Sequence, residues 1–530
     1  MDITEELLQS NALISAGNLD AAASRVQAIL KQVPDNPRAH YLMGRIHLAK
    51  LELELALSAA QKAYELDKGA PYTAALLADI YVDLALPEYA FPVLGDALSR
   101  KPNDAGLNYT MGRCYMLLEK GFKALPHFEK ASQDLGWDND SITVRMDLSE
   151  CLGAIGRSHE ADTLLDDVIK HRPDHADALF ARGMAVSKPV PEWLITELAT
   201  RAVAPDTNQQ DRANFWLALG RCRDVEGQHA EAFDCWSKSR AILGIKRHAM
   251  ERLDRQMTQS RMFYPQELID RVAPFGDHES HPILIVGMPR SGTTLTSQVI
   301  SAHPTCINIG EHDRFHRHDR MFRRNYWRET DHADIIRDAQ KGMLKSIASE
   351  FKAFFSIFEE GEKKRVVDKS PFNFENLGFI HAIFPKVKII HCRRHPADNF
   401  VSAFQHNMNR SHDYSYGQET YVDRYLAHEE MMRYWKKLFP DQIFELRYED
   451  MVADQETLSR RLIAFCDLPW DDACLNFHER KNTVRTFSRT QVRQPVYSSS
   501  VERWRRYESR LGPLFAKLRQ RGYDYASSTI

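Results

Sequence analysis

Residues 281–311 read HPILIVGMPRSGTTLTSQVISAHPTCINIGE. The run at 283–286 is apolar and rich in β-branched residues, which predicts a buried strand of a parallel sheet. Gly287, Pro289, Ser291 and Gly292 then break it. From Thr293 onward, Leu295, Val299 and Ile300 fall at helical spacing, so a helix is expected to start there. Strand, small-residue loop and helix N-terminus together cradle a phosphate, because free backbone N–H groups and the helix dipole both face the anion. The alternative for the loop alone is a plain turn between strand and helix.

The spelling of the loop narrows the class. A nucleoside-triphosphate loop runs Gly, four residues, Gly-Lys, then Ser or Thr. Gly287 and Gly292 have that separation, but Thr293 stands where the Lys belongs. A kinase or NTPase reading therefore loses its main cation. Arg290 supplies a cation at a different point.

Downstream, residues 306–309 predict a second strand, closed by Gly310-Glu311. A carboxylate there is placed to face a bound phosphate group. Residues 312–328 are rich in His and Arg. His312 and His316 have i,i+4 spacing, but no third metal ligand is evident, so a solvated or substrate-facing basic surface is the preferred reading. An amphipathic helix is expected over 333–358. Strands follow at 365–368, 387–392 and 443–446. They are closed by Lys369-Ser370-Pro371, Arg393-Arg394-His395-Pro396 and Arg447-Tyr448-Glu449-Asp450. A helix is expected over 398–408. Alternating strands and helices imply a mostly parallel sheet with ligands at the carboxyl ends of its strands. Lys369, Arg394 and Tyr448 all sit at such ends.

A chain of 530 residues exceeds one core and predicts two or more domains. Residues 1–250 hold 27 Lys+Arg against 35 Asp+Glu, whereas 251–530 hold 43 against 38. The mildly basic second half suits an anionic ligand. Nothing in the pattern points to nucleic acid. The start of the chain is acidic and amphipathic rather than a signal peptide. No run approaches the ~18–20 apolar residues of a membrane span. The eight cysteines form no paired framework, which fits reduced thiols and a cytoplasmic location.

The first half repeats. Small residues recur at Ser10, Gly44, Ala78, Gly112, Ser149, Gly183 and Gly220, in steps of 34 or 37. Twelve residues after each but the sixth comes an Ala: Ala22, Ala56, Ala90, Ala124, Ala161 and Ala232. Such positions mark where two helices cross closely, and each unit buries its apolar face only on its neighbours. The pattern looks like a tetratricopeptide-repeat (TPR) α-solenoid of about seven units over 1–245, with a degenerate sixth. A helical linker is expected over 246–279 and the α/β domain over 280–530. The solenoid offers a concave groove for a protein partner, or serves as a packing arm, and a homodimer stays open.

The second half resembles the sulfotransferase superfamily, and tyrosylprotein sulfotransferases most closely, over roughly 282–523. The 5′-phosphosulfate loop of that family is similar to Pro289-Arg290-Ser291-Gly292-Thr293-Thr294. Its 3′-phosphate motif, an Arg with a Ser eight residues on, matches Arg394 and Ser402. The tyrosylprotein branch has a loop Arg, then Ala-His-Pro, then Gly-Glu, as at Arg290, Ala302-His303-Pro304 and Gly310-Glu311. Arg447-Tyr448-Glu449-Asp450 resembles a segment that packs on the adenosine. Ser488 resembles a late Ser near the sulfate, and Arg503-Trp504 a Lys-Trp pair. Ser370 departs from the acidic residue that follows the Lys in the family. The membrane anchor, lumenal disulfides and lack of repeats of the tyrosylprotein enzymes do not match this chain.

The resemblance implies transfer of a sulfuryl group from 3′-phosphoadenosine 5′-phosphosulfate (PAPS) to a hydroxyl or amine, leaving 3′-phosphoadenosine 5′-phosphate (PAP). Glu311 would be the general base. Arg290, Lys369 and Ser488 would stabilise the transferred group. Ser291, Gly292, Thr293 and Thr294 would hold the 5′-phosphate. Arg394, Ser402 and Arg503 would hold the 3′-phosphate, with Tyr448 on the adenosine. No metal is expected, since cations and N–H donors stabilise the charge. A protein tyrosine, a polysaccharide or other glycan, a lipid head group or a small phenol would all use this donor site as acceptors. A nucleotide-binding but inactive TPR adaptor is the alternative, and a P-loop kinase or NTPase ranks below it.

Overall fold

The structure, a computed structural model, describes residues 2–133, 136–245, 258, 260–327, 342–359, 364–408, 410–486, 489 and 491–525. The chain divides into two compact units. One comprises Met1–Arg172 with Lys481–Arg485, the other Pro173–Arg480 with Thr486–Ile530.

Among the described residues, the regular structure of the first unit is helical. Its pairs are α1 (Ile3–Ser15) and α2 (Leu19–Gln32), α3 (Pro37–Ala49) and α4 (Leu53–Leu66), α5 (Pro71–Asp83) and α6 (Pro87–Arg100), α7 (Ala105–Leu117) and α8 (Gly121–Ala131), and α9 (Asn139–Ala154) and α10 (Ser158–His171). Side-chain caps start several of them. Asn36 accepts from the Ala39 N–H at 2.9 Å, Asp104 from Leu107 at 3.0 Å and Asp138 from Ser141 at 2.8 Å. The periodic small residues lie where partner helices meet. Ser10, Ala22, Ala56, Ala78, Ala90 and Ala124 are wholly buried. At Gly112 a Cβ would come within 2.8 Å of the Phe128 ring, so a larger residue would displace that ring. The turn inside each pair carries one residue at positive φ: Gly17, Leu51, Ala85, Glu119 and Gly156. Lys481–Arg485 belongs to this unit through bonds from the Gly121 N–H to Thr483 Oγ1 (2.7 Å) and from the Val484 N–H to the Ala154 carbonyl (2.9 Å).

The second unit begins with four more helices: α11 (Ala176–Met184), α12 (Glu192–Val203), α13 (Gln209–Glu226) and α14 (His229–Leu243). The repeat spacing continues into this unit and assigns these helices to the solenoid. In the structure, Leu217 of α13 and Phe233 and Trp236 of α14 share one core with Phe400, Phe404, Tyr421, Tyr425 and Tyr507. This shared burial groups the last helices with the sheet-containing half. Residues 246–257 of the expected linker lie outside the described residues, as do 333–341 of the helix expected over 333–358; its described part is Leu344–Ser356.

Among the described residues the sheet has five strands: β1 (Ile283–Gly287), β2 (Cys306–Gly310), β3 (Arg365–Asp368), β4 (Lys388–Arg393) and β5 (Ile443–Arg447). Their order is β2-β3-β1-β4-β5, with every pairing parallel. All five residues of β1 are buried, as its unbroken apolar spelling requires of a central strand. The register sets Gly287 against Cys392, Gly310 against Asp368 and Arg393 against Arg447, so the carboxyl ends align along one edge. From β1 the chain leaves toward β2, and from β4 toward β5. The crevice where these directions part is where an open α/β sheet takes its ligand.

Candidate active site

The loop after β1 runs straight into the helix Thr293–Ser301, with Gly292 as its N-cap at φ +94°. A Cβ at Gly292 would lie 2.6 Å from Tyr448 Cδ2, so glycine is required there by both backbone and neighbour. Arg290 adopts φ +71°, unusual for a residue with a side chain and typical of backbone held in tension at a site. The loop is pinned from the helix that follows β4, Pro396–Phe404: Asn399 donates from Nδ2 to the Pro289 carbonyl at 3.0 Å, and Tyr421 Oη donates to Asn399 Oδ1. Ser291 is 1% exposed, and its hydroxyl is buried without a hydrogen-bond partner. An orphan hydroxyl beneath a helix N-terminus fits a phosphate oxygen.

Three guanidinium groups gather beside this loop. Arg290 donates from Nε to Ser402 Oγ at 3.0 Å. Arg394, just past β4, donates to the Arg290 carbonyl at 3.0 Å and to the Ser500 carbonyl at 2.6 Å, and its guanidinium lies 4.7 Å from the Tyr448 ring centre. Arg503 donates to Asp224 of α13 and, at 3.2 Å, to Gln405. Burial pushes the Arg290 pKa down to about 10, and the like charges of Arg394 and Arg503 push the same way. The Nε atoms of Arg394 and Arg503 are buried and unpartnered. Cations brought together against their mutual repulsion, with donors to spare, suit an anion. Burial raises the Tyr448 phenol above its ordinary value, so this ring stays neutral.

Along the same edge, Lys369 and Glu311 pair across the ends of β3 and β2, the Lys369 ammonium donating to Glu311 Oε1. Lys369 is 1% exposed, whereas half of the Glu311 side chain faces solvent. The buried cation thus holds a carboxylate that an incoming molecule can reach. Ser370 fixes the segment by bonding both ways with His312: the His312 N–H donates to its hydroxyl at 2.9 Å, and the hydroxyl donates back to the His312 carbonyl at 3.1 Å.

The structure brings Arg290, Ser291, Gly292, Arg394, Ser402 and Tyr448 into one cluster, with Arg503 close enough to act on Arg290. Ser402, expected beside Arg394 on the 3′-phosphate, bonds Arg290 instead. Thr293 and Thr294 are buried in the first helical turn, Thr294 3.4 Å from the Thr486 hydroxyl. Ser488 lies outside the described residues. His312 and His316 do not share a ligand position: His312 Nε2 bonds the Ile309 carbonyl, and His316 Nδ1 accepts from Asn376 at 2.7 Å. A different group, His391, His428 and Glu429, lies close together beneath the site, with both Glu429 oxygens accepting from Arg393.

Several supports are invisible in the spacing of the sequence. Asp398 accepts from the N–H groups of Glu502 and Trp504, both at 2.8 Å, and so anchors the segment that carries Arg503. Glu449 accepts from the His395 N–H at 2.8 Å and from Tyr525 Oη at 2.7 Å. Asp398 and Asn399 stand between Arg394 and Ser402, so the motif itself was the available signal. Asp224 had none.

Residues 282–472 match the sulfotransferase family and residues 7–71 the tetratricopeptide repeat. The chain therefore carries a sulfotransferase-family domain and a TPR region. An uncharacterized protein of Aquifex aeolicus (strain VF5) is 29% identical over 387 residues, 72% of this chain and 50% of that protein. The protein-tyrosine sulfotransferase of Drosophila melanogaster is 26% identical over 42% of this chain and 46% of its own length. The protein-tyrosine sulfotransferase 1 of Danio rerio is 25% identical over 47% and 75%. The chain thus spans about half the length of the first two relatives. Among solved structures, the sulfotransferase domain of the Synechococcus PCC 7002 olefin synthase is similar at 18% identity and a TM-score of 0.34, covering 47% of this chain and 97% of that domain. No helix among the described residues is long and apolar enough to cross a membrane.

Proposed function

We propose that this protein is a PAPS-dependent sulfotransferase that moves a sulfuryl group onto an acceptor hydroxyl or amine. The observation that carries this reading is the set of buried, unpartnered donors at the loop: Ser291 Oγ, Arg394 Nε and Arg503 Nε. A 3′,5′-bisphosphate nucleotide presents phosphates at two places, and these donors stand ready at the loop and at the arginines beside it. The missing loop Lys argues for the same donor over ATP.

Sulfuryl transfer is an in-line displacement in which negative charge spreads over the transferred group and the leaving oxygen, so positioning and electrostatics suffice for catalysis. The acceptor oxygen bonds to sulfur while the bond from sulfur to the 5′-phosphate oxygen breaks. Glu311 takes the acceptor proton, and PAP leaves with the bond's electron pair. Arg290 and Lys369 neutralise the transferred group and the bridging oxygen, a role in which Lys369 turns from Glu311 to the sulfonate. Ser488 serves the same region. Residues 291–294 hold the 5′-phosphate. Arg394, Ser402 and Arg503 hold the 3′-phosphate, and Tyr448 packs on the adenosine. No metal is needed in this scheme.

A protein tyrosine or a glycan is the proposed acceptor, delivered by a partner bound to the TPR region or reached through self-association. The proposed location is the cytoplasm. The test is transfer of label from radiolabelled PAPS to an acidic tyrosine peptide, a glycan and a simple phenol. Label on any acceptor, lost in Glu311→Ala, supports the reading. PAP binding without transfer to any acceptor favours the adaptor.

A further inference from the structure

We infer that Asp224, on helix α13 of the repeat-like segment, is a positioning residue that aims Arg503 and thereby sets the preference for a nucleotide bearing a 3′-phosphate. The inference rests on the donor reading above. Asp224 is 7% exposed, and its carboxylate is the hub of a small network. Oδ2 accepts from Arg503 Nη2 and, at 3.4 Å, from Arg221 Nη1. Oδ1 accepts from Tyr507 Oη and lies 3.1 Å from His229 Nδ1.

The geometry fixes both ends of the contact. Tyr507 is 1% exposed and packs its ring against Trp236 and Phe233, at 5.6 and 6.2 Å between centres. Asp224 therefore cannot follow a moving arginine. Arg503 opens the 3₁₀ helix Arg503–Arg510, held at its start by Asp398. One Asp224 oxygen and Gln405 Oε1 both take Nη2, which leaves Nε buried and unpartnered. Burial works to raise the Asp224 carboxyl pKa, but Arg503, Tyr507 and Arg221 outweigh it, so the carboxylate stays ionised. Without that charge, Arg503 faces the like charges of Arg290 and Arg394 unopposed, and repulsion turns it out of the cluster.

Two roles for Asp224 predict opposite results. If it merely adds negative charge near the site, Asp224→Asn tightens every anionic nucleotide. If it aims Arg503, Asp224→Asn weakens PAP while leaving 5′-AMP nearly unchanged. The experiment is calorimetric titration of the full chain and of Asp224→Asn with PAP and with 5′-AMP. The ratio of the two affinities is expected to fall about tenfold, the scale of one charge-assisted hydrogen bond. Asp224→Glu should recover part of that ratio, and Asp224→Asn should add little in an Arg503→Ala background. If Asp224→Asn does not fold, Gln405→Ala tests the same guanidinium and should lower the ratio by a smaller factor. Equal changes for both nucleotides, or none, overturn the inference. Absence of any PAP preference in the unaltered protein overturns the donor reading itself, which separates the two failures.

Discussion

The ends of β1 and β4 differ from the ends of β2 and β3 in how they treat charge. At the first pair, Arg290, Arg394 and Arg503 crowd around a loop whose buried hydroxyl and two guanidinium nitrogens lack partners. At the second, one buried ammonium meets one accessible carboxylate, and the charges balance. A cluster with donors to spare binds an anion, because only the ligand completes its hydrogen bonds. A balanced pair binds little but holds a proton acceptor ready. On the proposed function, binding and proton transfer fall to neighbouring strand ends and can be broken separately.

The largest effect should come from the balanced side. Glu311→Ala is expected to lower turnover by ~10²–10⁴-fold, with the PAP dissociation constant almost unchanged by calorimetry. A matching loss of PAP affinity would place Glu311 in the binding cluster and erase the contrast. On the other side, Arg394→Ala should weaken PAP by about 10–100-fold, from the ~1.5–3 kcal/mol of hydrogen bonds to a charged group, with 5′-AMP little affected. A loss shared equally by both nucleotides would remove Arg394 from the 3′-phosphate. Gly292→Ala strains the loop between them through its positive φ and the Tyr448 ring. It should cost about 1–3 kcal/mol of stability, read as a lower Tm, and should weaken PAP.

The smallest effect is a slope in stability with pH. Burial pushes the Asp368 carboxyl up to about 7, with Lys369 opposing that rise and Glu311 adding to it. Between about pH 4 and about pH 7 the folded chain keeps a proton that the unfolded chain has lost. This group's contribution is therefore full below the unfolded pKa and is lost as pH rises through the folded one. Asp368→Asn should flatten that part of the Tm-against-pH curve. An unchanged curve would show that Asp368 is ionised beside Lys369.

What could be read in the sequence was whatever repeats or clusters locally. The small residues of the helix pairs announced themselves because close helix crossings exclude bulk at a fixed period. The turns within the pairs did not. Their left-handed position holds Gly17 and Gly156 but also Leu51, Ala85 and Glu119, so no glycine period marks it. The loop, Glu311, Lys369, Arg394 and Tyr448 were legible because each follows an apolar strand. Asp224 was not, since it meets Arg503 only through the fold, 279 residues away along the chain. The same holds for Ser402. Its eight-residue spacing from Arg394 was visible, but its bond to Arg290 depends on how two loops approach.

The most direct test of the account is calorimetric titration of the purified full chain with PAP, 5′-AMP and ATP. PAP should bind tightly, with 5′-AMP and ATP weaker by at least about tenfold, the scale of one charge-assisted hydrogen bond. Equal affinity for the three, or tighter binding of ATP, would contradict it and return the loop to an unassigned phosphate site.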